Sequence, residues 1–248
     1  MRLWQDGLGV QQRLPSLLDP PILFAHRGAR AYAPENTIDA FALGLKLGAT
    51  GLESDVWRTA DGEVVLDHDG VVRRGWRSRP IASLRRDELP AHMPTIGELI
   101  DACGADYDLS LDLKDPACGP DVIAAVREAA PDLVPRVWLC HPQLAVIEPL
   151  RALDPDVRLV DSTRLDKISE GPERRAAHLA KVGIDGINMH HTAWNGGLVA
   201  LFHRFDRTAF AWDLQFEHVL QPVLRMGIDG VYSDWPDRMV DVAQAELS

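Results

Sequence analysis

The sequence predicts an α/β chain folded as a (β/α)8 TIM-type barrel with an extra β-hairpin after strand 2. Three observations predict it. Short apolar runs bounded by turn residues alternate with longer amphipathic stretches, the pattern of parallel strands joined by crossover helices. Eight such runs and eight helical stretches share 248 residues, close to the ~250 residues this architecture usually takes. Ionisable residues gather at the C-terminal ends of the runs, where the βα loops of such a barrel begin.

The elements follow in order. Residues 1–21, with Pro15, Pro20 and Pro21, read as a lead-in that packs across the barrel bottom or stays loose. Strands are expected to begin at Ile22, Gly51, Asp108, Val137, Val157, Gly186, Thr208 and Gly230. Period-3.6 patterning places helices over 39–47, 96–102, 121–129, 144–153, 173–182, 197–202, 217–226 and 238–246. An extra apolar run from Glu63 follows Thr59-Ala60-Asp61-Gly62. Asp-Gly between alternating runs signals a hairpin, so this segment is expected to double back antiparallel on strand 2. No internal repeat, low-complexity tract or Gly/Ser linker divides the chain, and residues 1–248 read as one catalytic barrel domain.

Lys and Arg number 26 against 37 Asp and Glu, a formal charge of −11, while 46% of residues are hydrophobic. That hydrophobicity is too high for a disordered chain. An acidic surface repels nucleic acid and anionic lipid, so neither is an expected partner, and any phosphate chemistry would need a cation. No apolar run approaches the ~20 residues of a membrane span, and the first twenty residues lack the basic start and apolar core of a signal peptide. The expected location is therefore cytoplasmic, without stable membrane insertion. Cys103, Cys118 and Cys140 are odd in number and lack CxxC spacing, which suggests neither a disulfide framework nor a thiolate zinc site.

Glu53 and Asp55 are two apart on a strand and point to one face. Both faces of a barrel strand are normally apolar, and two carboxylates there repel unless a cation or proton is shared. Asp112 on the next barrel strand supplies a third oxygen, and an all-carboxylate set suits Mg2+ or Ca2+ rather than zinc. The plainer alternative pairs Glu53 or Asp55 with Arg58 or Lys114. His26 and His68 end neighbouring strand segments and suit acid–base chemistry near neutral pH. Arg27 and Lys114 would hold a phosphate, one by its planar fork and the other as a point charge. The other seven histidines are expected to be ordinary core or surface residues, although His190-His191 and Asp213 also fall at strand ends.

The motif set resembles the glycerophosphodiester phosphodiesterase family, in the short form without a large inserted domain. The matching residues are His26-Arg27-Gly28, Pro34-Glu35-Asn36-Thr37, Glu53-x-Asp55, Thr59-x-Asp61-Gly62 and His68-Asp69. Met93-Pro94-Thr95-Ile96, Asp112-Leu113-Lys114, Ala211-Trp212 and the run Gly227 to Asp234 extend the likeness from Ile22 to Asp237. The resemblance implies metal-dependent hydrolysis of glycerophosphodiesters to an alcohol and glycerol 3-phosphate. It also implies that His26 and His68 form the acid–base pair and that Glu53 and Asp55 bind one divalent ion, Mg2+ or Ca2+.

The family's third metal ligand, a glutamate, is Asp112 here. One methylene shorter, it reaches the ion through water or draws it toward strand 3. About two dozen residues separate His68 from the helix at Ile96, so the mouth is expected to be comparatively open. Trp212 offers an apolar wall to the substrate, although a strand tryptophan is as often simple core. Two other functions compete. A sphingomyelinase D-like phosphodiester lyase would share the two histidines and the Mg2+, but the Pro34–Thr37 motif and the cysteine-poor chain speak against it. A catalytically silent phosphodiester-binding barrel is favoured only by Asp112. Barrels often associate, and no apolar stripe in the sequence decides for or against a homo-oligomer.

Overall fold

The computed structural model describes residues 13–247. Among them are the strands β1 (Ile22–His26), β2 (Gly51–Arg58), β3 (Val64–Leu66), β4 (Val71–Arg74), β5 (Arg77–Pro80), β6 (Asp108–Leu113), β7 (Val137–His141), β8 (Arg158–Ser162), β9 (Gly186–His190), β10 (Thr208–Trp212) and β11 (Gly230–Ser233). The helices are α1 (Ile38–Lys46), α2 (Ile96–Cys103), α3 (Gly119–Ala129), α4 (Leu144–Ile147), α5 (Leu150–Leu153), α6 (Pro172–Val182), α7 (Gly196–His203), α8 (Glu217–Arg225) and α9 (Pro236–Leu247). β1, β2 and β6 to β11 pair in parallel, and β11 pairs back onto β1, closing the eight-stranded barrel. All eight expected strands are the barrel strands. No helix among the described residues is long and apolar enough to cross a membrane.

Period-2 alternation sorts each strand into two layers. Leu23, Leu52, Leu111, Leu139, Leu159, Ile187, Ala209 and Val231 face outward into the layer shared with the helices. Phe24, Trp138, Cys140, Val160, Phe210 and Tyr232 face inward. The rings of Phe24 and Tyr232 stack at 4.6 Å, and Trp138 meets Phe210 edge-on at 4.9 Å. Gly51 and Gly230 make room for them: a Cβ there would stand 2.5 Å from the Phe24 ring and 2.9 Å from the Phe210 ring. The barrel is therefore filled through its lower part, where Ser110 and Asp108 are tied into the plug through the Tyr232 hydroxyl and the Trp138 N–H, and the site's charged groups lie above it.

Local chemistry sets the helix starts. Thr37 caps α1 by accepting the Ala40 N–H at 3.2 Å. Thr95 and Glu98 form a reciprocal capping box on α2. The helix expected over 144–153 is instead α4 and α5, because Pro149 has no N–H to continue the ladder. β3 runs back antiparallel on the end of β2, as expected. A second hairpin, β4 with β5, is additional, and it turns at Gly75, whose φ is +62°. Val72, Ile81, Leu84, Leu89 and Met93 pack it down onto Val65 and Trp57.

Residues 13–20 of the lead-in cross the barrel bottom. The Leu17 and Leu18 N–H groups donate to Asp229 Oδ1 at 2.6 and 3.0 Å, and Leu18 packs against the inward cluster. Asp229 Oδ2 accepts the Ala209 N–H at 2.7 Å and faces His203 Nε2 at 2.8 Å. The earlier lead-in residues, 1–12, lie outside the described residues.

Asp161 of β8 turns outward beneath α6, fully buried, with Arg175 Nε 3.5 Å away and neither carboxylate oxygen hydrogen-bonded. Burial pushes its carboxyl up to about 6, against the opposing pull of the Arg175 guanidinium. A group raised in this way contributes stability below its unfolded value near 3.8 and loses it as pH rises through about 6. The shift corresponds to about 3 kcal/mol. Relative to the parent, Asp161→Asn is therefore expected to gain roughly that much between about pH 4 and about pH 8. Urea midpoints of both proteins at the two pH values check it.

Candidate active site

His26 closes β1 on the inward face, and the chain then turns sharply through Arg27 and Gly28, at φ +53° and +77°. This turn aims the Arg27 N–H at Glu53 Oε2, 2.9 Å away. A Cβ on Gly28 would lie 2.5 Å from the Ala40 carbonyl carbon. Gly28→Ala is accordingly expected to cost roughly 2–5 kcal/mol from left-handed backbone strain plus overlap, read as a lower urea midpoint. The Pro34–Thr37 segment buttresses the same turn. Glu35 accepts from Arg27 Nη1 at 3.0 Å and pairs with Arg30 Nε at 3.1 Å, while Asn36 accepts the Ser54 hydroxyl at 2.7 Å.

β2 presents Glu53 and Asp55 inward, and β6 presents Asp112 in register with Asp55. One carboxylate oxygen from each lies within 4.8 Å of the other two. Burial, with Asp55 and Asp112 nearby, pushes Glu53 up to about 7 despite the opposing pull of His26. Burial likewise raises Asp112, with Lys114 opposing it. Lys114 Nζ lies 2.9 Å from Asp55 Oδ1 and 3.3 Å from Asp112 Oδ2, so the plainer ion-pair alternative is met in part. Arg58 instead pairs with Asp121 at 2.9 Å. Burial opposes the Lys114 ammonium, but Asp112 and Asp55 outweigh it and hold the group above its ordinary value.

A divalent cation fits this set. Three carboxylates outnumber the Lys114 ammonium and the Arg27 guanidinium beside them, and Asp55 Oδ2, 3.3 Å from Arg27 Nε, is buried without accepting a hydrogen bond. The 4.8 Å spread also suits a single ion whose oxygen ligands sit about 2.3–2.6 Å away.

His26 Nδ1 meets Asp234 Oδ1 at 2.6 Å, and Nε2 lies 3.8 Å from Glu53 Oε2. A carboxylate can only accept, so Nδ1 carries the proton and Nε2 faces the cavity. Burial lowers the imidazole, but Glu53 and the Asp234 hydrogen bond outweigh it and the net shift is upward.

These groups line a cavity of about 600 Å3 that also takes in Arg27, Lys114 and Trp212. Of the eight site residues read from the sequence, His68 alone is absent from its wall; His190 and His191, noted at a strand end, are absent as well. His68 follows β3 and is half-buried, with Nδ1 3.1 Å from Asp69 Oδ1. It stays close to β2 because the preceding Asp67 N–H bonds the Asp55 carbonyl at 3.0 Å. Trp212 lines this cavity and a neighbouring one, and packs edge-on against His190 at 4.5 Å. His190 and Asp213 pair at 3.2 Å beside it.

Sequence reasoning gave no role to Asp234, Glu35, Arg30, Arg164, Lys167 or Asn188. Asp234 had a signal, since it ends the Gly227–Asp234 run, but its partner is 208 positions away.

A sequence model of the glycerophosphoryl diester phosphodiesterase family matches residues 26–109, the stretch that carries His26, Arg27, Glu53, Asp55 and His68. Over that stretch the chain is similar to this family. A glycerophosphodiester phosphodiesterase of Bacillus altitudinis is 24% identical over 245 residues, covering 90% of this chain and 98% of that protein. The crystal structure of the Thermotoga maritima glycerophosphodiester phosphodiesterase superposes with a TM-score of 0.77 at 21% identity, over 90% of this chain and 98% of that one. An Oleispira antarctica phosphodiesterase, solved in complex with its product sn-glycerol-3-phosphate, also gives 0.77 at 21% identity, over 90% and 97%. These two likenesses show a shared barrel. Asp112, Lys114, Trp212 and Asp234 fall beyond the family match, so their place in the site rests on geometry alone.

Proposed function

We propose that the protein belongs to this family and hydrolyses glycerophosphodiesters to an alcohol and glycerol 3-phosphate, with His26 and His68 moving the protons and Glu53, Asp55 and Asp112 holding one Mg2+ or Ca2+. The observation that carries the reading is the pairing of a buried three-carboxylate set with an imidazole whose tautomer is fixed by Asp234. When bound, the cation supplies charge neutralisation to a nonbridging phosphate oxygen.

The chain's own residues supply the rest. His26 Nε2 is free to take a proton from the nucleophile or to give one to the leaving alkoxide, and Asp234 stabilises the imidazolium whenever it forms. Burial opposes ionisation of Asp234, but the His26 hydrogen bond prevails and keeps its carboxyl below its ordinary value. His68 serves as the second proton-transfer group from the mouth, its ring held by Asp69 as His26 is held by Asp234. Arg27 and Lys114, which line the cavity, meet the phosphate oxygens in this reading, and Trp212 gives the organic part of the substrate an apolar wall. Water and the diester's own 2-hydroxyl can both act as nucleophile with the same proton-moving pair.

The test is glycerol 3-phosphate release from glycerophosphocholine, glycerophosphoethanolamine and glycerophosphoglycerol, each with EDTA, Mg2+ or Ca2+. Cation-dependent release supports the reading, and a cyclic phosphate in the time course assigns the 2-hydroxyl route. Folded, cation-binding protein that releases nothing from any of the three overturns it.

A further inference from the structure

The cavity has two unlike sides. On the catalytic side each cation has a carboxylate partner: Arg27 has Glu35 and Asp55, Arg30 has Glu35 and, at 3.9 Å, Asp234, Lys114 has Asp55 and Asp112, and His26 has Asp234. A divalent ion on the three carboxylates beside Lys114 brings that group to neutrality. Arg27 and Arg30 share the single Glu35, which leaves one positive charge for the one negative charge of a phosphodiester.

The opposite side is built from the loop after β8 and carries Arg164 and Lys167. Among the described residues the Arg164 side chain makes no hydrogen bond or ion pair, and Lys167 has only Asp166, at 3.9 Å. Their charge is surplus to a monoanionic substrate. A second observation falls on the same wall. Asn188 of β9 lines the cavity at 6% exposure, and its Oδ1 is buried without a partner. A buried amide oxygen left unpaired is costly, and a hydroxyl donor in the cavity would satisfy it.

Space points the same way. Beyond Arg164 and Trp212, which belong to both, lies a neighbouring cavity of about 640 Å3. A substrate longer than glycerol phosphate with a small head group could span the two.

We infer that Arg164 and Lys167 form a specificity wall for an alcohol half that carries its own negative charge, a second phosphate above all, with Asn188 reading a hydroxyl of the same substrate. The inference rests on the hydrolytic reading given above and names its substrate class. A cationic head such as choline meets like charge at this wall and is disfavoured.

The experiment compares three diesters: bis(glycerophospho)glycerol, which carries a second phosphate, the uncharged-head glycerophosphoglycerol, and glycerophosphocholine. With the parent protein, kcat/KM is expected to fall in that order, by about tenfold or more from first to last. Arg164→Glu is expected to lower the value for bis(glycerophospho)glycerol by about ten- to hundredfold, mainly through KM, the loss of a charged hydrogen bond plus a new repulsion. The same variant should raise the value for glycerophosphocholine. A flat ranking, or a variant that lowers all three alike, overturns the inference while leaving the hydrolytic reading intact. If no diester is turned over, the hydrolytic reading fails separately. Calorimetric titration of His26→Ala with the three compounds then still decides the charge preference, and equal affinities would overturn it.

Discussion

Replacing His26 with Ala is expected to lower kcat on glycerophosphoglycerol by about 10²–10⁴-fold, with KM changed far less. The expectation follows from position. The imidazole closes β1 inside the barrel, and Asp234 fixes its tautomer at 2.6 Å. The ring packs beside carboxylates rather than in the apolar layers, so its loss leaves the folding core untouched and an unchanged thermal midpoint should accompany the lost turnover. Asp234→Asn separates the two parts of this role. An amide can hold the ring in place but cannot stabilise its charged form, so kcat should fall by less than in His26→Ala but by well over tenfold. If Asp234→Asn retains parental kcat, the partner merely packs against the ring and the proton-moving role of His26 loses its support.

Asp55→Asn is expected to abolish turnover by about 10³-fold or more, the several kcal/mol that a cation contributes to phosphoryl chemistry. Asp55 is 2% exposed, its Oδ1 faces Lys114 Nζ at 2.9 Å, and its Oδ2 stands 3.3 Å from Arg27 Nε without accepting a hydrogen bond. The amide preserves shape and removes charge. Two outcomes separate the readings. If the three carboxylates hold a cation, calorimetry on the folded variant shows Mg2+ or Ca2+ affinity reduced by at least about tenfold. If Asp55 serves only as the ion-pair partner of Lys114, stability falls while cation affinity stays as in the parent. The second result would remove the cation from the proposed chemistry.

What could be read from the sequence was governed by the range of the contacts involved. Strand alternation is local, so Glu53 and Asp55 could be placed on one face, and all eight barrel strands could be found from runs of five to seven residues. The proline at 149 was equally local, yet the apolar spacing of 144–153 masked its effect. The β4–β5 hairpin was hidden because Arg73-Arg74-Gly75-Trp76-Arg77 shows no apolar alternation, and what holds the segment is packing of Val72 and Ile81 against Val65. Glu35 stood in a recognised motif, but its grip on both Arg27 and Arg30 depends on a turn whose positive φ angles no spacing rule predicts. Asp234 and the Arg164 wall lie furthest from view. Asp234 meets His26 only when the ring closes and brings the last strand beside the first, and Arg164 joins the same cavity only from the strand across the barrel.

The plug of Phe24, Phe210, Tyr232 and Trp138 gives the site the topology of a blind well. With the floor sealed, entry and exit share one mouth, and the two fragments of a cleaved diester cannot leave by opposite ends. On the proposed reading the fragment nearer the mouth departs first, and the one held against the carboxylates waits. Release is thereby ordered by depth alone, and the deeper product competes with each incoming substrate for the ground it has not yet vacated.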